Sequence, residues 1–417
     1  MSNPSPTPFF DVRMRGFPTR TDVDDAVALV RERVRPLGPE LVDLDAAAGR
    51  VLAAAVTATV PVPHFDRAAF DGYALRAEET FGAGPYNPLA LRVVGEAMPG
   101  RPFTRPVEPG EAVRIMTGSP VPAGADAVLP AESAEEAGGQ LKVVEPVVPG
   151  KNVGRTGEDV AAGRTVLRAG RVLRPQDLGL LSSVGVGRVD VVRRPRVAIL
   201  VTGDEILPPG STPDGYRIVD SNSVVLRALV RRDGGEALPT RHLPDRADAI
   251  RTAMAAGDWD VLLVSGGTSV GREDHAPRLV AELGELAVHG MALRPASPAG
   301  IGFIGGRPVF LLPGNPVSCL CAYDLFAGRA VLRLGGRPDD LPYRTAEYPV
   351  ADKIVSAVGR VDYVRVRLTP AGVEPIAVTG ASILSTTVTA DGFVLVPRDR
   401  EGYGPGERVT VYHYDCR

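Results

Sequence analysis

The sequence predicts a multidomain protein in which a three-layer α/β domain is combined with an inserted β domain and a C-terminal β-barrel-like domain. Between Arg196 and Leu334, apolar strand-like runs alternate with amphipathic helix-like segments, a pattern typical of a parallel or mixed sheet covered by helices. Short strands separated by proline and glycine turns fill the segments on either side of this region. A chain of 417 residues is long enough for several such cores.

The composition narrows the classes of function. Hydrophobic residues make up 44% of the chain and charged residues 23%, as in globular proteins of the cytoplasm. Because 47 basic residues nearly balance 50 acidic ones, we expect no nucleic-acid surface. No apolar stretch approaches the roughly 20 residues of a membrane span, and the N-terminus lacks the features of a signal peptide. Three cysteines are too few for a disulfide framework, which favours buried thiols in a reducing cytoplasm.

One strand–loop–helix segment indicates a ligand site. The apolar run Val261–Val264 predicts a strand covered on both faces, and Ser265–Ser269 follows it with two adjacent glycines. A helical pattern then opens at Glu273 and Asp274. Loop N–H groups and a helix N-terminus both favour an anion. For a lone glycine pair, an ordinary tight turn is the preferred interpretation.

Two neighbouring strands also end in polar or Gly/Pro loops. The strand Arg196–Val201 runs into Thr202-Gly-Asp-Glu205, and Val309–Leu312 runs into Pro313-Gly-Asn-Pro316. Because parallel strands present their carboxyl ends at one edge of a sheet, we expect the three loops to form one site. The loops match neither a P-loop nor a dinucleotide fingerprint. Loop N–H groups beside carboxylates suit phosphoryl or phosphoanhydride chemistry, with Mg²⁺ or proton transfer.

The remaining patterns divide the chain into four predicted domains. A helix that follows Thr21 and a second at Pro175–Val184 belong to an N-terminal helical part, and residues 1 to about 18 form a loose arm. The predicted domains are residues 1–51 with 149–187 (helical and linker), 52–148 (inserted β), 188–334 (α/β) and 335–417 (C-terminal β).

Five motifs stand in the order of one known family. They are Phe65–Leu75, Arg114–Val128, Thr202–Ile206, Ser265–Gly271 and Leu312–Ser318. From about Thr19 onward the chain resembles the molybdopterin molybdenumtransferases, the MoeA and gephyrin E-domain family of molybdenum cofactor biosynthesis. The resemblance implies insertion of molybdenum from molybdate into adenylylated molybdopterin, with release of AMP and with Mg²⁺ as cofactor. It also implies a cytoplasmic homodimer whose cleft lies between the α/β domain of one subunit and the β domain of the other. Molybdopterin adenylyltransferase and molybdoenzyme acceptors are the implied partners.

The resemblance also assigns candidate site residues by motif. The catalytic candidates are Asp71 and Thr117, from the partner chain, and Glu205, Asp245 and Asp274. The substrate-binding candidates are Ser265, Gly266, Gly267, Ser269, Arg294, Pro313, Gly314, Asn315, Pro316 and Arg365. No residue is assigned to a metal.

The chain departs from the family pattern at three places. The C-terminal stretch Ala381–Thr387 aligns only loosely, so no serine there is assigned. Where members typically read Lys-Pro-Gly-Lys-Pro, this chain reads Arg294-Pro-Ala-Ser-Pro298, so Arg294 keeps one charge and Ser297 loses the other. The usual asparagine of the front motif is Arg67, which could compensate. The departures leave open a divergent pterin- or nucleotide-binding homologue or a scaffold. An adenylyltransferase that uses only the α/β domain is a weaker alternative, since the front β domain argues against it.

Overall fold

A computed structural model describes residues 14–377 and 380–414. The chain contacts divide it into two compact units. The larger unit comprises Met1–Glu40, Gly49–Val51 and Val191–Arg417, and the smaller one comprises Leu41–Ala48 and Leu52–Asp190. Among the described helices, none has the length and apolarity that a membrane crossing requires.

A seven-stranded mixed sheet forms the centre of the larger unit. Its strands are β1 (Arg196–Thr202), β2 (Glu236–Ala237), β3 (Arg241–Leu243), β4 (Val261–Ser265), β5 (Glu285–His289), β6 (Gly300–Ile304) and β7 (Arg307–Leu312). The order is β2-β1-β4-β7-β6-β5, with β3 also paired to β1. Strands β1, β4 and β7 run parallel, and Ser265 pairs with Val201 on one side and Leu312 on the other. The carboxyl ends of these three strands therefore lie side by side, as predicted.

Helices cover both faces of this sheet. They are α1 (Val23–Arg33), α2 (Asn222–Arg232), α3 (Ala247–Ala255), α4 (Ala276–Leu283), α5 (Pro316–Ala322) and α6 (Gly328–Leu334). Every residue of β4 is buried. Val261 and Leu263 join the core that contains α1 and α2, whereas Leu262 and Val264 join the core that contains α3 and α4. Since successive side chains of a strand point to opposite faces, this division confirms the three-layer prediction.

The sequence pattern predicts one helix from Val317 to about Leu334, and the structure interrupts it. A π-helical turn, Tyr323–Ala327, separates α5 from α6. It carries Asp324, which is 1% exposed and accepts hydrogen bonds from the Tyr343 hydroxyl at 2.8 Å and from Arg232 Nη2 at 3.0 Å. Burial raises the pKa of Asp324 to about 6. One wide turn barely alters an apolar repeat, so the sequence pattern did not reveal it.

A six-stranded sheet closes the larger unit. Its strands are Leu293–Arg294, Arg344–Pro349, Val361–Thr369, Gly372–Ala377, Gly392–Val396 and Arg408–His413. Val361–Thr369 pairs with Leu293–Arg294, Gly372–Ala377 and Gly392–Val396. A valine-rich core fills this sheet. The strand predicted to run to Val378 ends at Ala377 within the described residues.

The smaller unit is built on another six-stranded sheet. In spatial order its strands are Ala127–Pro130, Gly72–Leu75, Glu111–Ile115, Leu89–Ala97, Gln140–Val143 and Ala134–Ala137. This unit also holds the helices Leu44–Ala47 and Pro175–Ser183. The strands predicted between Leu89 and Val148 are therefore present.

The remaining elements are short. The other strands are Pro39–Asp43, Val56–Thr57, Arg67–Ala68, Val153–Gly154, Thr165–Leu167, Arg188–Val192, Ile206–Leu207, Ile218–Val219, Ile354–Val355 and Gly402–Tyr403. The short helices are Ala77–Thr80, Ala131–Ser133 and Ser385–Val388.

The N-terminal arm is more ordered than predicted from residue 14 onward. The Met14 N–H donates to Val270 O at 2.7 Å. The Phe17 ring packs edge-on against His289, with ring centroids 5.0 Å apart, and His289 Nε2 lies 3.0 Å from Thr268 O. The arm therefore braces the loop that follows β4. The rest of the predicted arm, residues 1–13, lies outside the described residues.

Candidate active site

A cleft of about 920 Å³ opens at the carboxyl ends of β1, β4 and β7. The three loops singled out in the sequence all line it. The predicted site residues in its lining are Glu205, Asp245, Ser265, Gly266, Gly267, Ser269, Asp274, Pro313, Gly314, Asn315 and Pro316. The structure thus brings eleven predicted residues from separate segments of the chain to one cleft. Their roles remain predictions.

Two glycines allow the loop after β4 to lie against the end of β1. Gly266 and Gly267 have φ values of 91° and 61°, in the left-handed region that glycine favours. A Cβ atom on Gly266 would lie 2.4 Å from Thr202 O, and one on Gly267 would lie 2.8 Å from Thr202 Oγ1. A larger residue at Gly266 would displace the Thr202 backbone, and one at Gly267 would displace the Thr202 hydroxyl. The loop therefore presents bare main chain to the cleft.

The Asp274 side chain accepts a hydrogen bond at the end of the same loop. Its Oδ2 accepts the Gly271 N–H at 2.5 Å, and helix α4 begins two residues later, at Ala276. Glu273 and Asp274 therefore precede the helix that they were predicted to open, and the Asp274 carboxylate accepts a hydrogen bond within a tight turn instead. Pro277 stands at the start of the helix, where its missing N–H costs no hydrogen bond.

Five carboxylates gather at one side of the cleft. Glu205, Asp245, Glu273 and Asp274 line it, and Asp204 Oδ1 accepts the Asp245 N–H at 3.3 Å. Among the described residues, no salt bridge involves any of the five. Burial, and then the negative charges of Glu205, Asp204 and Glu273, raise the pKa of Asp245. This side of the cleft therefore favours a cation or a proton.

Two polar residues of the cleft were missed at the sequence level. The sequence Asp220-Ser221-Asn222 predicts a helix cap and no further role for Asn222; in the structure the cap is Ser221, and Asn222 is the first residue of α2. Its Nδ2 donates to Ser265 Oγ at 2.9 Å and to Gly314 O at 2.8 Å. Thr202 Oγ1 is buried without a hydrogen-bond partner. Only the folded arrangement reveals either property.

A second cavity, of about 340 Å³, adjoins the cleft and shares Pro313 and Asn315 with it. Arg20, Arg294 and Arg360 line this cavity. The last two both pair with the buried carboxylate of Asp362. Two of the three guanidinium groups thus share one carboxylate. The Oγ of Ser297 and the Nε of Arg294 are buried without a hydrogen-bond partner. The cavity is therefore positively charged although Ser297 replaces the expected lysine.

Arg365 lies outside the linings of the cleft and the cavity. Its side chain is fully buried, and burial lowers its pKa even though Tyr414 and Tyr363 oppose that effect. A contact between Arg365 and an anionic substrate remains a prediction.

In the smaller unit, Asp71 and Thr117 form a direct pair. Asp71 Oδ1 accepts the Thr117 N–H at 2.7 Å and the Thr117 hydroxyl at 2.8 Å, and these two bonds lower the pKa of Asp71. Arg67 is engaged with Glu158, at 3.4 Å. The pair is an ionised carboxylate held by a loop, and its part in the cleft remains a prediction.

No group of three or more His, Cys, Asp or Glu side chains is arranged to enclose a metal ion within the described part of the chain. A cation at the acidic side of the cleft would therefore need ligands beyond the protein. Mg²⁺ commonly binds in this way, through one or two carboxylates together with substrate phosphates and waters.

Comparisons with known proteins cover almost the whole chain. Residues 21–185 match the family described as MoeA N-terminal region (domain I and II). Residues 198–333 match a probable molybdopterin binding domain, and residues 347–414 match the MoeA C-terminal region (domain IV).

Curated relatives and solved structures agree with these matches. Molybdopterin molybdenumtransferase 2 of Mycobacterium tuberculosis is 38% identical over 77% of this chain and 81% of its own length. The molybdopterin molybdenumtransferase of Haemophilus influenzae is 31% identical over 90% and 94%, respectively. A crystal structure of a molybdopterin biosynthesis MoeA protein from Pyrococcus horikoshii covers 95% of this chain and 100% of its own, with a TM-score of 0.83 and 33% identity. The chain belongs to the MoeA family of molybdopterin biosynthesis proteins.

Proposed function

We propose that this chain is a molybdopterin molybdenumtransferase. It takes adenylylated molybdopterin and molybdate, breaks the bond between pterin phosphate and adenylate, leaves molybdenum on the dithiolene and releases AMP. The observation that carries the proposal is the cleft of about 920 Å³ in which three strand-end loops and five carboxylates meet. The two relatives named as molybdopterin molybdenumtransferases support it.

The glycine loop would hold the phosphate groups. The N–H groups of Gly266 and Gly271 are already bonded to Leu312 O and Asp274 Oδ2, so the N–H groups of residues 267–270 would face the anion. The N-terminus of α4 adds a favourable dipole. The unpartnered hydroxyl of Thr202 beneath the loop supplies one more donor. Ser265 and Ser269, with Pro313–Pro316 opposite, would line the pterin–phosphate path. Donors fixed in advance stabilise a developing phosphate charge without reorganisation.

The acidic side of the cleft fits Mg²⁺ by its donor chemistry. Hard carboxylate oxygens without basic partners are the ligands that this ion prefers, and Glu205, Asp245 and Asp274 are the candidates. Bound there, Mg²⁺ would neutralise phosphate charge. Asp245, whose pKa is raised by burial, would hold a proton more readily than an ordinary aspartate does.

The arginine cavity would receive molybdate. Arg20 and Arg360 supply positive charge beside Arg294, which compensates for the absence of a lysine at Ser297. The unpartnered Ser297 hydroxyl and Arg294 Nε fit the oxygens of a tetrahedral oxyanion.

Arg20→Ala tests this assignment. We expect the molybdate concentration at half-maximal AMP release to rise roughly tenfold, since a charged hydrogen bond is lost. Arg15→Ala is the matched control, because Arg15 lies five residues before Arg20 in the chain but outside the cavity lining. Equal molybdate dependence of both variants would rule out a role for Arg20.

The assembly and the cellular setting belong to the same proposal. The protein acts as a cytoplasmic homodimer, in which Asp71 and Thr117 of one subunit complete the cleft of the other. It takes its substrate from a molybdopterin adenylyltransferase and passes the cofactor to molybdoenzymes. The four predicted domains remain part of this proposal.

AMP release from purified protein tests the function. Chromatography should detect AMP only when adenylylated molybdopterin, molybdate and Mg²⁺ are all present, and omission of each component in turn is the control. A protein that binds the adenylate tightly but releases no AMP under any of these conditions would instead be the divergent binding or scaffold homologue.

A further inference from the structure

Two loops of the cleft follow adjacent strands of the central sheet. The main-chain hydrogen bonds that join the two strands do not continue into these loops beyond Gly266. The last main-chain hydrogen bond between them runs from the Gly266 N–H to Leu312 O, at 3.2 Å. The Thr268 hydroxyl returns to the same Leu312 carbonyl, at 3.3 Å. Neither bond reaches the Pro313–Pro316 turn. Beyond the strand ends the two loops approach closely, since a Cβ on Gly314 would lie 3.7 Å from Gly266 Cα, and one further element forms hydrogen bonds with both.

Asn222 is that element. Its side-chain amide has two N–H donors, and both are used: one bonds Ser265 Oγ at 2.9 Å and the other Gly314 O at 2.8 Å. These partners lie 43 and 92 residues away in the chain. Asn222 is only 8% exposed, so water competes weakly for these bonds.

The segment that carries Asn222 is itself fixed. Asp220, which is 5% exposed, accepts the Ser223 N–H through Oδ1 at 3.0 Å. Its Oδ2 lies 2.8 Å from His242 Nε2 on β3, and its own N–H donates to Leu207 O at 2.9 Å. The hydrogen bonds of Asp220 and Asn222 thus link α2, β3 and both loops.

We propose that Asn222 is a positioning residue for the transfer reaction. It fixes the separation between the glycine loop and the Pro313–Pro316 turn, so that both contact one bound substrate. The inference rests on the proposed function, in which phosphate lies on the first loop and the pterin along the second. Errors of about 1 Å in such positioning can slow an enzyme by about 100-fold.

Substitutions at Asn222 test the proposal. Asn222→Ala removes both donors, and we expect kcat for AMP release to fall by about 10- to 100-fold while KM changes within about threefold. Asn222→Asp has nearly the same shape but turns an oxygen toward Gly314 O, so kcat should fall further. Val224→Ala, on the same turn of α2 but 53% exposed, is the control and should behave as wild type.

Hydrogen exchange separates positioning from general stability. In Asn222→Ala, amides in residues 265–271 and 313–316 should exchange faster, while those of β1 and the thermal midpoint stay near the wild-type values. Unchanged kcat and unchanged loop exchange would overturn the proposal. So would faster exchange across all strands of the sheet together with a lower midpoint, since that pattern marks a general structural role.

The same measurement distinguishes this proposal from the proposed function. If the wild type released no AMP, the proposed transferase function would be refuted. Amide hydrogen exchange in the presence of added AMP would still test the role of Asn222. AMP should protect both loops in the wild type and only one of them in Asn222→Ala. Equal protection in the two proteins would refute the positioning role.

Discussion

Replacing Gly266 with alanine should cost stability and, more strongly, activity. The new Cβ would lie 2.4 Å from Thr202 O and 3.1 Å from Thr202 Oγ1, on a residue with φ of 91°. A left-handed conformation costs a non-glycine residue about 1–2 kcal/mol. Ordinary carbon contacts need about 3.5 Å, so the loop must also move by about 1 Å. We expect the free energy of unfolding to fall by about 2–4 kcal/mol and kcat/KM for AMP release to fall by about 100-fold.

Gly305→Ala separates the cost of the left-handed backbone conformation from the cost of the contact with Thr202. Gly305 also has positive φ, 58°, but a Cβ there would meet no atom within 4 Å. This variant should lose only the conformational part, about 1–2 kcal/mol, and keep kcat/KM within about twofold of wild type. Denaturant unfolding and the AMP-release assay measure the two quantities. If both variants gave the same stability and the same kcat/KM, the argument from the Thr202 contact would be refuted.

Three smaller perturbations extend these expectations. Because the pKa of Asp245 is raised in the folded protein, ionisation of this side chain opposes folding above that pKa. Asp245→Asn should therefore raise the melting temperature at pH 8. The gain in melting temperature should shrink as the pH falls toward the ordinary aspartate pKa of 3.8. An equal gain at pH 4 would contradict this. Thr117→Val removes the hydroxyl donor to Asp71, so an NMR titration should find the carboxyl pKa raised, not unchanged. Phe17→Ala removes the ring against His289 and should speed amide exchange in residues 266–271, whereas unchanged exchange would show that the arm does not brace the loop.

Local patterns were enough to predict the strands and the edge where they meet. The run Val261–Val264 is apolar at every position because both faces of β4 are covered, and the glycine pair marks the close approach to Thr202. Such signals lie within a few residues of the feature that they predict. The cleft and most of its predicted lining followed from them together with the family resemblance.

Contacts between distant segments could not be predicted in this way. Asn222 resembles a helix cap in sequence, and its bonds to Ser265 and Gly314 exist only once three chain segments meet. The charge that Arg20 brings to the second cavity comes from a residue to which no role was predicted. The strand sequence around Arg365 does not indicate that this side chain is fully buried. Each of these depends on long-range packing.

The buried bonds of Asp324 restrict how relatives of this chain can be recombined. In a chimera with its crossover near Gly335, Arg232 and Asp324 would come from one parent and the residue at Tyr343 from the other. A parent without a hydroxyl there would leave Asp324 one hydrogen bond short, at a cost of about 1–3 kcal/mol. Crossovers before Arg232 or after Tyr343 keep the three groups together. Shuffled libraries should therefore be enriched in survivors that inherit them from a single parent.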